Sequence, residues 1–151
     1  MSRHILLDSS PLSVLSLPVR SAGVGAIREW SRSCLAAGHH IYVPEVIDYV
    51  LRRELLRAGK AASIGRLNAL KTSFRYLPLT TAALLRAAEL WVISRRHGVP
   101  TGYPKKLDID VILSAQALTL PTPSSDVIIA TANVGHLARF AAADLWMNII
   151  P

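Results

Sequence analysis

The stretch His4-Ile5-Leu6-Leu7-Asp8-Ser9-Ser10 decides the fold class of this chain. Its three consecutive apolar residues are typical of a short strand that is buried on both faces, as in a parallel sheet. Asp8 follows at the carboxyl end of this strand, the edge of an open α/β sheet where ligands bind. A carboxylate is costly to bury unless it is hydrogen-bonded, paired or bound to a metal. Asp8 is therefore either the cap of the next turn or a ligand in a crevice at this edge.

Strands and helices alternate along the rest of the chain. Apolar runs rich in β-branched or aromatic residues predict further strands at residues 40–43, 74–79, 127–131 and 147–150. Helical spacing and helix start and stop signals predict helices at residues 22–37, 44–57, 60–72, 81–98, 107–119 and 135–140. Residues 11–17 suit a short helix or a turn, and residues 99–106 a loop. Such alternation implies right-handed crossovers and a mostly parallel sheet covered on both faces. We therefore predict a three-layer α/β/α sandwich that forms a single domain over residues 1–151.

Composition and charge narrow the class of protein. The chain is 51% hydrophobic, and no apolar run approaches the roughly 20 residues that cross a bilayer. The N-terminus lacks the features of a signal peptide, so we expect a cytoplasmic protein without a membrane partner. The single cysteine, Cys34, lies in a helical stretch and is interpreted as a buried thiol rather than a nucleophile. The formal charge of +7 weakly favours polyanionic partners such as nucleic acid.

Three further acids can be placed relative to the predicted sheet. Asp108 and Asp110 open a helix beside the sheet, where each is either an N-terminal helix carboxylate or a ligand. Asp108 suits the cap, so Asp110 is the preferred ligand. Asp126 precedes the fourth strand and lies about 16 Å from its carboxyl end, so it belongs to the opposite edge.

Polar side chains follow the fourth strand at the correct edge. Thr131, Asn133 and His136 supply a hydroxyl, an amide and an imidazole that can orient water or phosphate there. Asn133 equally suits a simple helix cap. Ser9, next to Asp8, adds a second hydroxyl that is predicted to contact nucleic acid.

The second predicted strand leads into a helix rich in charge. Glu54 lies one turn beyond Val50, near the apolar stripe of this helix, and either reaches the crevice or forms a surface ion pair. The flanking Arg52, Arg53 and Arg57 equally suit ion pairs or a phosphate-binding rim.

Carboxylates that converge without a cysteine or histidine cage favour a hard cation, Mg²⁺ or Mn²⁺. Such ions bind through few protein ligands together with waters and substrate phosphates. In basic surroundings, the corresponding chemistry is metal-assisted hydrolysis of a phosphodiester.

Four short stretches, spread in order over nearly the whole chain, together resemble the PIN domain of VapC-type toxin ribonucleases. They are Leu6-Leu7-Asp8-Ser9-Ser10, Val43-Pro44-Glu45 through Arg52-Arg53-Glu54-Leu55, Leu107-Asp108-Ile109-Asp110 through Ala115-Gln116-Ala117, and Ala130-Thr131-Ala132-Asn133-Val134-Gly135-His136. The resemblance implies a three-layer fold and metal-dependent cleavage of RNA. For the toxin branch it also implies a small antitoxin partner and frequent homodimers.

The resemblance assigns roles to individual residues. Asp8 matches the first metal ligand, Asp110 matches the acid before the Ala-x-Ala helix with Asp108 as its companion, and Asn133 falls at the fourth position. The family usually places a glutamate in the middle of the second helix, and Val50 stands there in this chain. Valine cannot bind a metal, so Glu54 is the candidate to reach in from the next turn.

Three hypotheses follow from the sequence. The leading one is a Mg²⁺- or Mn²⁺-dependent ribonuclease, a toxin of a toxin–antitoxin pair, with Asp8 and Asp110 as metal ligands. The alternative, motivated by Val50 and the positive charge, is a PIN-like module that binds RNA or a protein without cleaving it. A phosphate-binding flavodoxin-like domain is disfavoured, because the first strand is not followed by a glycine-rich loop.

Overall fold

A parallel β-sheet forms the centre of the molecule in the computed structural model, which describes residues 2–96 and 104–151. Its strands are β1 (His4–Leu7), β2 (His40–Pro44), β3 (Arg75–Leu77), β4 (Val127–Ala130) and β5 (Ala143–Asp144). They lie in the order β3-β2-β1-β4-β5, and every neighbouring pair is parallel. The predicted α/β fold class is therefore confirmed, with a sheet that is wholly parallel.

The connections between strands are helical. The helices are α1 (Ser9–Leu15), α2 (Val24–Ala36), α3 (Glu45–Arg57), α4 (Ala61–Ser73), α5 (Thr81–Arg96), α6 (Pro104–Leu118) and α7 (Val134–Leu137). Short 3₁₀ turns occupy Ser124–Asp126 and Trp146–Asn148. Within residues 2–96 and 104–151, no helix combines the length and apolar character needed to span a membrane.

Strand β1 is covered on both faces. Ile5, Leu6 and Leu7 are all fully buried. Because successive side chains of a strand point to opposite faces, this burial requires packing on both sides of the sheet. Helical layers on the two faces supply that packing, which gives the three-layer arrangement expected from the sequence.

The strand order creates a crevice beside β1. From β1 the chain proceeds to β2 on one side, whereas β4 pairs with β1 on the other side. Ligands of open parallel sheets bind at such a reversal, outside the carboxyl ends of the strands. The pairing of β1 with β4 continues past the end of β1, since the Asp8 N–H donates to the Ala130 carbonyl at 2.9 Å. Asp8 is thereby fixed at the mouth of the crevice.

Helix α6 is held against the rest of the molecule by apolar packing and by one amide. Small buried residues on the facing surfaces, including Ala83, Ala87 and Ala115, allow α5 and α6 to pack closely. The buried Gln116 donates through Nε2 to the Leu77 carbonyl at 2.9 Å, which ties α6 to the end of β3. This anchoring fixes the position of α6 relative to the carboxyl edge of the sheet.

Two sequence predictions about secondary structure are wrong. The predicted loop at 99–106 overlaps α6, which begins at Pro104 because proline is favourable at the first position of a helix. Residues 99–103, and the predicted end of α5 near Gly98, lie outside the described residues. The fifth strand is Ala143–Asp144 rather than 147–150, because Asp144 accepts from the Leu145 N–H and from Asn148 Nδ2 and thereby turns the chain.

The interpretation of Cys34 as a buried thiol is confirmed. The residue has no exposed surface and belongs to the main hydrophobic core. Burial raises the pKa of its thiol to about 11, which leaves it protonated and inert as a nucleophile at neutral pH.

A buried tryptophan joins α2 to the C-terminal segment, and its replacement tests this packing. Trp30 donates through Nε1 to the Ile149 carbonyl at 2.8 Å, and its ring lies 5.6 Å from the ring of Trp146. Trp30→Phe leaves this buried carbonyl without its donor, so we expect the free energy of unfolding to fall by about 1–3 kcal/mol. Urea unfolding followed by circular dichroism measures the change as a lower midpoint with an unchanged slope.

The matched control is Trp91→Phe, because Trp91 is partly exposed on α5. We expect this variant to lose less than about 1 kcal/mol. Equal losses from both substitutions would contradict the role given to the Trp30 hydrogen bond.

Candidate functional site

Asp8 is a helix cap, and it also lines a cavity at the carboxyl edge of the sheet. It is the N-cap of α1, where its Oδ1 accepts from the Ser9 N–H at 2.7 Å. Its Oδ2 accepts from the Thr131 hydroxyl at 2.7 Å, across the ends of β1 and β4. The side chain also lines a cavity at the carboxyl edge of the sheet. A cap therefore holds the carboxylate in place without removing it from the crevice.

Asp110 reaches the same cavity from α6. The residue is only 5% exposed, and its side chain accepts no hydrogen bond from the described residues. Burial, and then the negative charge of Asp8, raise the pKa of the Asp110 carboxyl from its ordinary value of 3.8 to about 6. The positive charges of Lys106 and Arg139 oppose this increase. The two acids are therefore close enough to interact electrostatically, as their assignment to one site requires.

The cavity has a volume of about 740 Å³ and a mixed lining. It is formed by Asp8, Ser9, Ser10, Val50, Arg53, Lys106, Ile109, Asp110, Ala132 and Asn133. Its acidic residues are Asp8 and Asp110, and its basic residues are Arg53 and Lys106, so the formal charges of the lining cancel. A site of this composition can bind a cation beside its acids and a phosphate beside its bases.

The polar residues after β4 lie at this edge as predicted. Besides contacting Asp8, the Thr131 Oγ1 accepts from the Asn133 N–H at 2.8 Å. Asn133 is the N-cap residue of α7, but its side chain makes no capping hydrogen bond and lines the cavity instead. Its Nδ2 is buried without a partner among the described residues. His136 lies slightly outside the lining, with Nδ1 at 4.0 Å from the Asp110 Oδ2.

Val50 and Glu54 take different positions on α3. Val50 lines the cavity, at the place where the PIN resemblance expects a glutamate. Glu54 does not line it, and instead accepts from Arg57 at 2.8 Å on the exposed surface. The ion pair that the sequence offered as an alternative for Glu54 is thus the arrangement observed.

Asp108 and Arg52 are not brought to the cavity either. Asp108 is exposed and faces α5, where it lines a separate, mostly apolar groove. Arg52 donates to Asp48 and to Asn68, each at 2.8 Å. Ser9 and Arg53, in contrast, both line the cavity. The predicted nucleic-acid residues therefore separate into those at the cavity and those engaged elsewhere.

Sequence reasoning missed Lys106 as a member of the site. Its signal is the spacing of four residues to Asp110, which places both side chains on one face of a helix. The signal becomes visible only when α6 is known to begin at Pro104 rather than after Lys106.

The lining fits a hard cation that uses few protein ligands. In the described part of the chain, no group of three or more His, Cys, Asp or Glu side chains is placed to hold a metal. Two carboxylates nevertheless face one cavity, and Mg²⁺ commonly binds through one or two carboxylates with waters and substrate phosphates completing its shell. The unpartnered Asn133 amide could add a carbonyl oxygen through rotation about its terminal bond.

Comparisons with known proteins agree with the fold. No protein-family model and no curated protein matches the sequence. Among solved structures, the chain resembles one in VapBC2 from Rickettsia felis bound to a promoter DNA fragment, with a TM-score of 0.70 and 13% identity over 95% of this chain and 98% of that chain. A chain in VapBC-1 from nontypeable Haemophilus influenzae matches with a TM-score of 0.68 and 14% identity, over 96% of this chain and 99% of that chain. A chain in FitAcB from Neisseria gonorrhoeae matches with a TM-score of 0.64 and 19% identity, over the same shares of the two chains.

These similarities cover almost the whole of both chains, whereas the sequence identity is low. They therefore show that the strands and helices of these chains are arranged in the same way. The chain has the α/β fold of the matched chains in these VapBC and FitAcB structures, which is the fold class that the resemblance of its four short stretches predicted.

Proposed function

We propose that this protein is a Mg²⁺- or Mn²⁺-dependent ribonuclease of the VapC toxin type. The observation that carries the proposal is the convergence of Asp8 and Asp110, from β1 and α6, on one cavity at the reversal of strand order. Two acids and two bases in one lining suit a substrate that brings both a bound cation and a phosphate. The formal charge of +7 supports a polyanionic substrate.

In the proposed reaction, a divalent cation held in the cavity would supply the positive charge that activates water and stabilises the leaving oxygen of a phosphodiester. Asp8 and Asp110 would hold that cation from opposite sides of the crevice. Thr131 keeps Asp8 in one orientation through the 2.7 Å hydrogen bond, which leaves the other lone pairs of the carboxylate available. Arg53 and Lys106 would bind phosphate oxygens and place the backbone of the RNA against the acids.

The proposal extends to protein partners. The VapBC structures suggest a small antitoxin, and the resemblance to the toxin branch adds a homodimer. Helix α5 supports partner binding, because five of its large apolar side chains are exposed to solvent. These are Leu84, Leu85, Trp91, Val92 and Ile93.

The second candidate function is a PIN-like module that binds RNA or a protein without cleaving it. Val50 favours this alternative, because it leaves the cavity one carboxylate short of the PIN pattern. Cleavage of generic RNA by the purified protein with Mn²⁺, abolished by EDTA, would exclude it.

Asp8→Asn tests the proposed reaction most directly. Asparagine can keep the cap to the Ser9 N–H but loses the negative charge, so we expect RNA cleavage to fall at least about 100-fold with little loss of stability. Cleavage of a fluorescent RNA in Mn²⁺ measures the activity, and thermal unfolding measures the stability. The control is Asp126→Asn, the same change at the opposite edge of the sheet, which should cleave normally. Unchanged cleavage by Asp8→Asn would refute the proposal.

Val50→Glu restores the carboxylate that the PIN pattern expects. A third acid facing the cavity should tighten Mn²⁺ binding by about tenfold or more, since affinity rises with the number of charged ligands. Isothermal titration calorimetry measures the binding, with Val50→Gln as the control of similar size and no charge. If the Glu and Gln variants bind Mn²⁺ equally, position 50 does not face the cation.

Asp110→Asn has an expected effect on the stability of the metal-free protein. The raised pKa means that folding stability from protonated Asp110 is fully present below pH 3.8 and is lost as the pH rises through about 6. The variant lacks this loss, so we expect it to be more stable than the wild type at pH 7 by on the order of 2 kcal/mol. Near pH 4 the difference should be small.

Urea unfolding in EDTA at pH 4, 5.5 and 7 measures this difference. A variant that is less stable than the wild type at pH 7 would contradict the electrostatic strain assigned to Asp110. The same strain explains why a cation would bind there, because it relieves the repulsion between the two carboxylates.

A further inference from the structure

Three arginines lie close together on α3, and they differ in their partners. Arg52 is paired with Asp48, and Arg57 is paired with Glu54. Arg53 forms no ion pair with a carboxylate of the described residues, and it is the one of the three that lines the cavity. An exposed guanidinium without an acidic partner, beside a candidate catalytic cavity, is available for an anion.

Arg53 lies over an exposed aromatic ring. Its guanidinium carbon is 5.2 Å from the centre of the Tyr49 ring, and Tyr49 is 58% exposed. Similar cation–aromatic pairs occur at Lys71 with Tyr76, Arg95 with Trp91, and Arg139 with Phe140. None of those three cations lines the cavity, whereas Arg53 does. Tyr49 does not itself line the cavity, but it lies next to a residue that does.

Lys106 supplies a second cation on another wall. It lines the cavity from the first turn of α6, one helical turn before Asp110. Arg53 and Lys106 thus belong to two different helices that border the same cavity as the two acids. A phosphate that contacts both would lie in the same cavity as Asp8 and Asp110.

We propose that Tyr49, Arg53 and Lys106 form a nucleotide subsite beside the two carboxylates. Arg53 and Lys106 bind the phosphate, and an unpaired base next to it stacks on the exposed Tyr49 ring. Proteins recognise unpaired bases by stacking them on aromatic rings or guanidinium planes, and both are present here in contact. A base within a duplex has no free face for such a ring, so the subsite selects single-stranded segments. The inference rests on the proposed RNA substrate. It gives Tyr49, Arg53 and Lys106 the role of positioning that substrate, which is separate from the metal binding proposed for the two carboxylates.

RNA binding measured in the absence of metal tests this subsite independently of the proposed hydrolysis. The probe is a fluorescein-labelled single-stranded RNA of ten nucleotides, titrated in EDTA and followed by fluorescence anisotropy, with the same strand in a duplex as the second arm. The proposed hydrolysis depends on a cation, so its failure would be seen in the cleavage assay and would leave this measurement unaffected.

Tyr49→Ala should weaken binding of the single strand by about tenfold, with an unchanged dependence on salt, because stacking is lost and no charge is removed. Tyr49→Phe keeps the ring and should bind within about twofold of the wild type. Because Tyr49 is exposed, neither change should affect the melting temperature. An unaltered affinity of Tyr49→Ala, or an equal loss for the duplex, would overturn the stacking role.

Arg53→Met and Lys106→Met should each lower the affinity and reduce the slope of log affinity against log salt by about 0.7, the value for one phosphate contact on a single strand. The matched control is Arg57→Met, the same change one turn along α3 at an arginine that does not line the cavity. If Arg53→Met behaves like Arg57→Met, or if the wild type does not bind the single strand, the subsite is refuted.

Discussion

The burial of the Asp110 carboxyl beside the charge of Asp8 is the constraint on which the candidate site depends. Asp8 cannot move away, because the Ser9 N–H and the Thr131 hydroxyl hold its two oxygens. Asp110 cannot move away either, because α6 is packed against α5 and tied to β3 through Gln116. The pKa of Asp110 rises to about 6 as the electrostatic consequence of burial and of this proximity. In the proposed function, a cation bound beside the two acids would relieve the repulsion between them.

The fold and the central acid followed from the sequence because they depend on local patterns. Three buried residues in succession require a strand with two covered faces, and Asp8 ends that strand. Asp126 could be excluded because a strand has a fixed rise per residue, and the structure places it before β4. Such arguments need only the direction of each strand and the parallel arrangement of the sheet.

The sequence alone does not determine which neighbouring residue a charged side chain pairs with. Glu54 lies near the apolar stripe of α3, yet it pairs with Arg57 at the surface, where the Coulomb attraction requires no desolvation. Lys106 was not predicted as a site residue, because residues 99–106 were assigned to a loop. Its spacing of one helical turn from Asp110 has meaning only in a helix that begins at Pro104. Asp108 and Asp110 point about 160° apart around the axis of α6, so they cannot both face the cavity. Tertiary packing fixes the rotation of the helix and so decides which of the two does.

Val50 changes the charge balance of the cavity rather than its shape. With two acids facing Arg53 and Lys106, the lining is formally neutral, so a divalent cation would leave it positive. Excess positive charge attracts a phosphate, and a bound phosphate in turn lowers the cost of holding the cation. By linkage, RNA and the cation would then each strengthen binding of the other. A glutamate at position 50 would weaken this coupling, because the lining with a divalent cation bound would then have a formal charge of +1 instead of +2. If the proposed function holds, valine at this position would therefore make retention of the cation depend on the substrate.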